Sequence, residues 1–313
     1  MKLTELTPSP AWQAERSNYI GGSDAAAILG QSEYSTPLQV WMRKKGMIPP
    51  IEDNPIMNFG HYFEPQLAAY FEQEMGLKTR KVNTPFTHPD HEFLKANIDR
   101  QVLAGKGLDS TAVLELKTTT SHRIKSLDGE IPREWYIQVQ QYLNISGYQK
   151  AFLQIYERDT CYFREPQIID RNQELIDDMT EKLVEWWNTF MIESEGSEGR
   201  RPEPMNGEDA LILYPESQPE HVVEITPAGY SIYTELQEVR ARKAGLITQE
   251  EYLKTKLKNK LGNAERLVFG GKTLVSWKSQ STNRLDTSAI KREHPEFYKQ
   301  YTKTTNTRRF LCH

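Results

Sequence analysis

The chain has 313 residues, 26% of them charged and 37% hydrophobic, and a formal net charge of −4. That length buries a core of one large or two smaller domains, no apolar run approaches the ~20 residues that span a bilayer, and the opening MKLTELTPSPAW lacks the apolar stretch of a signal peptide. Cys161 and Cys312, the two cysteines, exclude a disulfide scaffold and are too few for thiolate-held zinc or an iron–sulfur cluster, so a soluble protein of a reducing, cytoplasmic compartment is expected.

In chain order, GGSDAAAILG (21–30) reads as a glycine turn feeding a helix capped by Ser23 or Asp24. Residues 57–75 follow as a helix with Phe59, Phe63, Leu67 and Tyr70 on one face. Strands are expected at 93–99 and 111–117, then a helix from Pro132 to about Ser146 with proline in its favoured first turn. Strands at 151–156 and 161–169 complete a first region, 1–192. Residues 193–209, ESEGSEGRRPEPMNGED, read as a linker. The section 210–313 opens with two helices, 228–244 and 249–261, the second started by a Thr248/Glu251 capping box and closed by Gly262. A hairpin turning at Gly270-Gly271 comes next.

Charge is unevenly spread. Residues 241–313 hold 16 Lys and Arg against 6 Asp and Glu, leaving 23 and 37 for the rest of the chain. A basic section on an acidic body suits an anionic partner, nucleic acid first. Phe269, Trp277, Tyr298, Tyr301 and Phe310 are interleaved with these cations; they fit strand-tracking rings and the core of a small accessory domain equally well.

Chemistry concentrates on the two strands. Period-two alternation puts Leu94, Ala96 and Ile98 on one face and Asp99 on the other. In Thr111–Lys117 it sets Ala112, Leu114 and Leu116 against Val113, Glu115 and Lys117. Two carboxylates and a lysine on one surface suit phosphodiester hydrolysis, because Mg²⁺ needs only one or two carboxylates besides waters and a substrate phosphate, and a lysine can stabilise developing negative charge. Taken alone, the pattern fits a solvent-facing Glu/Lys pair better. Two helical residues add to it. Gln138 borders the Trp135, Val139, Tyr142 and Leu143 stripe while Gln140 points away, and Glu64 flanks the Phe59/Phe63/Leu67 stripe.

Arg16…IGGSDAAAILG, GHYFE (60–64), Asp99, LELK (114–117) and WYIQVQQYL (135–143) occur in that order, and together they resemble the YqaJ-like viral recombinase family, which includes the phage lambda exonuclease, within the PD-(D/E)xK nuclease superfamily. The match runs over roughly residues 10–170; VSWK (275–278), HPEFY (294–298) and RRF (308–310) also resemble the C-terminal part of YqaJ-type members. The resemblance implies an α/β fold: a restriction-endonuclease-like core with a mixed central sheet flanked by helices, here extended by the helical and β-hairpins. It implies a Mg²⁺-dependent exonuclease, with Mn²⁺ as a possible substitute, that digests the 5′-ended strand of double-stranded DNA from its ends in phage-type recombination. Asp99, Glu115 and the Leu116 carbonyl would hold the metal, Lys117 would be catalytic, and Glu64 and Gln138 would support them. Arg16 and Ser23 would grip the 5′ phosphate, as a bidentate guanidinium can. A homotrimeric ring and a single-strand annealing partner are further implications, and a phage or prophage origin in a bacterial host is another. Arg100 replaces a glycine common in the family; an arginine adopts a positive-φ turn only at a cost, which makes Arg100 a candidate DNA contact.

Two rivals stand beside this reading: a restriction-type endonuclease, against which Arg16 and the glycine-serine motif argue, and a non-catalytic DNA-binding module of the same fold, against which the intact Asp99, Glu115 and Lys117 argue. The seven histidines suggest no cofactor, and His88 and His91 read as a surface turn.

Overall fold

The computed structural model describes residues 15–51, 54–193, 199–303 and 308–312. These divide into two compact units, Met1–Leu213 and Tyr214–His313. The first unit is a mixed α/β fold. Its six-stranded sheet runs β1 (Thr79–Lys81), β4 (Arg100–Val102), β5 (Ala112–Thr119), β6 (Lys150–Glu157), β7 (Tyr162–Phe163), with β8 (Gln167–Asp170) also paired to β6. Only β5 and β6 are parallel among these pairs, Glu115 standing beside Leu153 and Lys117 beside Ile155. A parallel pair needs a long crossover, and helices α4 (Ser121–Ser126) and α5 (Arg133–Ser146) supply it.

Strand β5 alternates as expected and is covered on both sides. Ala112 and Leu114 pack with Phe71 of helix α3 (Pro55–Met75), with Val102 and with Phe152. Val113 instead joins a larger cluster with Trp135, Val139 and Leu143 of α5, Ala25 to Ile28 of helix α1 (Gly22–Ile28), Leu38 of helix α2 (Pro37–Lys44), and Leu183 and Trp187 of helix α6 (Gln173–Phe190). Glu115 and Lys117 share the Val113 side and therefore face α5 and α1.

Several sequence expectations are corrected. The strand expected at 93–99 is split: β3 (Lys95–Ala96) pairs with β2 (Phe86–Thr87), Leu94 bridges Ile20, and the chain enters the main sheet only at Arg100. Leu94, Ala96 and Ile98 are nonetheless buried, so the pattern reported burial faithfully and pairing poorly. The 161–169 strand is broken into β7 and β8, with Pro166 between them. Helix α1 is capped by Gly21, and Asp24 reaches back to accept a hydrogen bond from the Gly21 N–H at 3.0 Å. Gln140 does not point away; it is fully buried, its amide donating to the Asp170 carbonyl and accepting from the Asn172 N–H. Residues 194–198 of the expected linker lie outside the described residues. Its far end packs on the first unit: Asp209, buried at the start of helix α7 (Gly207–Leu213), accepts hydrogen bonds from Thr36 and Gln39, each at 2.9 Å.

The second unit contains α8 (Pro227–Leu261), the β9–β10 hairpin (Arg266–Phe269, Lys272–Ser276), and the short helices α9 (Thr287–Glu293) and α10 (Pro295–Gln300). The expected helical hairpin is one continuous helix of 35 residues. Thr248 does not cap a new helix because its hydroxyl donates to the Ala244 carbonyl one turn back, and nothing between 244 and 249 interrupts the ladder. Gly270 and Gly271, both at positive φ, make the expected turn. Leu261 is the one hydrophobic side chain buried here among the described residues; Phe269, Trp277, Tyr301 and Phe310 are all more than half exposed. Those rings are therefore not the core of this unit. No described helix is long and apolar enough to cross a membrane.

Candidate active site

Strand β5 carries the center of the site. Glu115 is 2% exposed. Its Oε1 lies 2.6 Å from Lys117 Nζ, while its Oε2 is buried without a hydrogen-bond partner. Asp99, just before β4 on the adjacent strand, accepts a hydrogen bond from the Leu116 N–H at 2.8 Å, which pins its carboxylate across β5. Burial first, and then the Glu115 and Glu64 charges, push the Asp99 carboxyl well above its ordinary value, against Lys117 and the Leu116 N–H. Burial opposes the charge on Lys117, but Glu115 and Asp99 outweigh it and raise the ammonium's pKa. Lys117 thus keeps its proton.

Helix α5 holds that ammonium in place. Lys117 Nζ donates to Gln138 Oε1 at 3.0 Å, and Gln138 Nε2 donates to the Tyr142 hydroxyl at 2.7 Å. Gln138 and Tyr142 are one helical turn apart, so the pair is prepared by the helix itself. Burial and the two carboxylates raise the Tyr142 phenol well above its ordinary value, which keeps it protonated. The sequence pattern counted Tyr142 only as core; a hydroxyl-bearing ring four residues after Gln138 was the available signal.

A second cluster adjoins this one. Arg16 donates to Ser23 Oγ at 2.8 Å and lies 3.3 Å from Asp24 Oδ1. Lys44 Nζ sits 3.0 Å from Asp24 Oδ2. Burial by itself would raise the Asp24 carboxyl, but Arg16, Lys44 and the Gly21 N–H outweigh it and hold it far below the usual range. Arg43, which donates to Ser35, adds a third cation nearby. The sequence marks Asp24 as a helix-cap candidate and gives it no part in a charge cluster, and it does not single out Arg43 or Lys44, since ordinary helical charges carry no distinguishing pattern. Gly22 joins the clusters: a Cβ there would lie 2.4 Å from Tyr142 Cε1 and 3.1 Å from Gln138 Cγ. Only glycine lets α1 close this tightly on α5.

The structure thus gathers Asp99, Glu115, Leu116, Lys117 and Gln138, with Arg16 and Ser23 one helix away. Glu64 stands at the margin, felt by Asp99 and 4.0 Å from Lys81. Arg100 is placed elsewhere. It opens β4 opposite Leu114, hence on the Phe71 side of the sheet, and the strand gives it no positive φ. Among the described residues no three His, Cys, Asp or Glu groups form a ready-made metal cluster. The two carboxylates still fit a hard cation, because Lys117 engages one oxygen of Glu115 and leaves the buried Oε2 without a partner. His88, expected in a surface turn, is instead buried and stacks on His91 at 5.0 Å, beside β2 of the separate two-stranded sheet.

A family model for the YqaJ-like viral recombinase domain matches residues 11–149. The chain is 30% identical to the protein YqaJ of Bacillus subtilis (strain 168) over 308 residues, spanning 96% of this chain and 92% of that one. Among solved structures, the alkaline exonuclease LHK-Exo from Laribacter hongkongensis superposes with a TM-score of 0.48 and 19% identity over 58% of this chain and 93% of its own. A phage-related exonuclease from Haemophilus somnus 129PT gives 0.40 and 14% over 55% and 95%.

Proposed function

The chain belongs to the YqaJ-like viral recombinase family, and from that premise we propose that it is a divalent-metal-dependent exonuclease that removes nucleotides from the 5′-ended strand of duplex DNA. The observation that carries the reading is the buried pair Asp99/Glu115 with Lys117 bridging only one carboxylate oxygen. Asp99, Glu115 and the Leu116 carbonyl would hold Mg²⁺, or Mn²⁺ in its place; the cation supplies Lewis-acid stabilisation of charge on the scissile phosphate. Lys117, charged and held by Gln138 and Glu115, offers its remaining N–H donor to the negative charge that develops on the phosphate oxygens. The Lys117 ammonium, which has donors only, requires the Gln138 oxygen, and the Tyr142 hydroxyl accepts from the NH₂ end and holds the amide in that orientation. Glu64 adds negative charge toward Asp99. Arg16 and Ser23, braced by Asp24, present hydrogen-bond donors for a terminal 5′ phosphate. Their link through Gly22 and Tyr142 to Gln138 would set the distance from that phosphate to the bond that is cut.

Arg100, on the other side of the sheet, is assigned no part in this chemistry. The ring of three subunits and a single-strand annealing partner belong to the same proposal and rest on the family resemblance. The test is a linear duplex with 5′-phosphate ends, incubated with Mg²⁺ or with EDTA, beside a closed circle of the same sequence. Mononucleotides from the linear substrate with Mg²⁺ alone are expected. Equal cutting of the circle would point to an endonuclease, and no cutting under any metal would leave a DNA-binding module.

A further inference from the structure

We infer that one face of α8, between Ala241 and Lys260, binds the sugar–phosphate backbone of duplex DNA as a second contact apart from the cleavage site; the inference rests on the reading that the chain works on duplex DNA. At 100° per residue, Arg242, Gly245, Gln249, Tyr252, Lys256 and Lys260 fall on one side of the helix. All are exposed. The two carboxylates of this stretch, Glu250 and Glu251, fall on other sides, and both are paired with Lys254, at 2.8 and 3.1 Å. Between Ala241 and Lys260 three cations therefore share a face without an acid, and Glu238, one turn before Arg242, lies on the extension of that face. Arg242, Gln249 and Lys256 recur every seven residues, so they form a row with a spacing of about 10.5 Å along the axis. Duplex DNA offers one phosphate charge per ~1.7 Å of its own axis, and two cations, Arg242 and Lys256, with the Gln249 amide between them as a further hydrogen-bond donor can meet it.

Gly245 supplies an independent reason. Glycine is among the poorest residues for a helix interior, and a Cβ built here meets nothing within 4 Å. Its φ is not among the positive ones. Among the described residues nothing requires glycine at this place, whereas a backbone lying against the helix would. Two-fold pairing of this face with itself fits poorly, because Arg242, Lys256 and Lys260 would meet their own like charges. Single-stranded DNA fits less well than duplex, since strand tracking uses successive stacked rings and the face holds one, Tyr252, already under Lys256 at 4.5 Å.

The test uses the full chain in EDTA and a labelled blunt duplex, with affinity read by anisotropy across a salt series. The triple variant Arg242→Gln, Lys256→Gln, Lys260→Gln should lower the slope of log affinity against log salt by about 2 to 3. Gly245→Gln should weaken binding several-fold while raising the thermal midpoint, because it improves helix propensity. An unmoved slope, or full affinity in Gly245→Gln, overturns the inference. So would loss of polyglutamate binding in the triple variant with the DNA slope intact, which would assign the face to an acidic protein segment. Cleavage by the wild type in Mg²⁺ is scored separately. Slope loss without any cleavage keeps this surface and removes the nuclease reading; cleavage with an unmoved slope does the reverse.

Discussion

In the first unit the strand that carries Glu115 and Lys117 is covered on both faces, whereas in the second a 35-residue helix buries one hydrophobic side chain, Leu261. The first unit spends its packing on holding charges where water would not leave them. Asp99, Glu115, Lys117, Gln138 and Tyr142 keep their geometry because helices close over the sheet. The second unit has its rings and lysines outside. Its order comes from local helix and turn chemistry, with exposed groups left for a partner. On the two readings proposed above, chemistry falls to the unit with the buried core and contact to the unit whose side chains are mostly exposed.

The contrast is broken most forcefully in the first unit. Phe71→Ala removes the fully buried ring under Leu114 and Phe152 and should cost about 3–5 kcal/mol in denaturant unfolding. A loss under 1 kcal/mol would mean the α3 side of the sheet is not close-packed. Asp24→Asn leaves Arg16 and Lys44 without their carboxylate and should cost about 3 kcal/mol at neutral pH. Asp24 has a depressed folded-state pKa, so its contribution is present above the ordinary carboxylate range and is lost as pH falls through and below it. The gap between wild type and variant should therefore close in acid; a gap independent of pH would show that charge is not its source.

Gln138→Ala should lower turnover roughly 10- to 100-fold, the scale typical of residues that orient a catalytic partner, with duplex affinity unchanged. Tyr142→Phe should reproduce a part of that loss and leave stability largely intact. Equal rates in all three proteins would remove α5 from the positioning of Lys117. The smallest effect is expected in the second unit: Leu246→Ala, at a side chain 65% exposed, should shift stability by less than about 0.5 kcal/mol. A large loss there would reveal a core that this unit does not show by itself.

What was legible in the sequence follows the same division. Period-two alternation placed Glu115 and Lys117 on the Val113 side of β5 correctly, and helical period placed Gln138 beside the stripe of α5. These are local regularities, and the covered sheet preserves them. What failed depended on distant partners. Gln140 is buried because Asp170 and Asn172, some 30 residues on, satisfy its amide. The 93–99 strand splits because Leu94 is taken by Ile20, from far earlier in the chain. Asp24 and Lys44 meet only when α1 and α2 pack. In the second unit the error was instead local: the Thr248–Glu251 capping pattern competes with helix continuation, and without tertiary contacts to force a break the helix continued.

The central claim is that the buried carboxylate pair works with a cation on the 5′-ended strand. It is tested most directly by single-turnover cleavage of a blunt duplex labelled in turn at each strand's 5′ end, with wild type and Glu115→Gln at saturating Mg²⁺. The account predicts release of the 5′ label by the wild type and a loss of at least ~10³-fold, about 4 kcal/mol at the barrier, in the variant, with duplex binding kept. Comparable turnover by Glu115→Gln, or shortening from the 3′ ends instead, would contradict it.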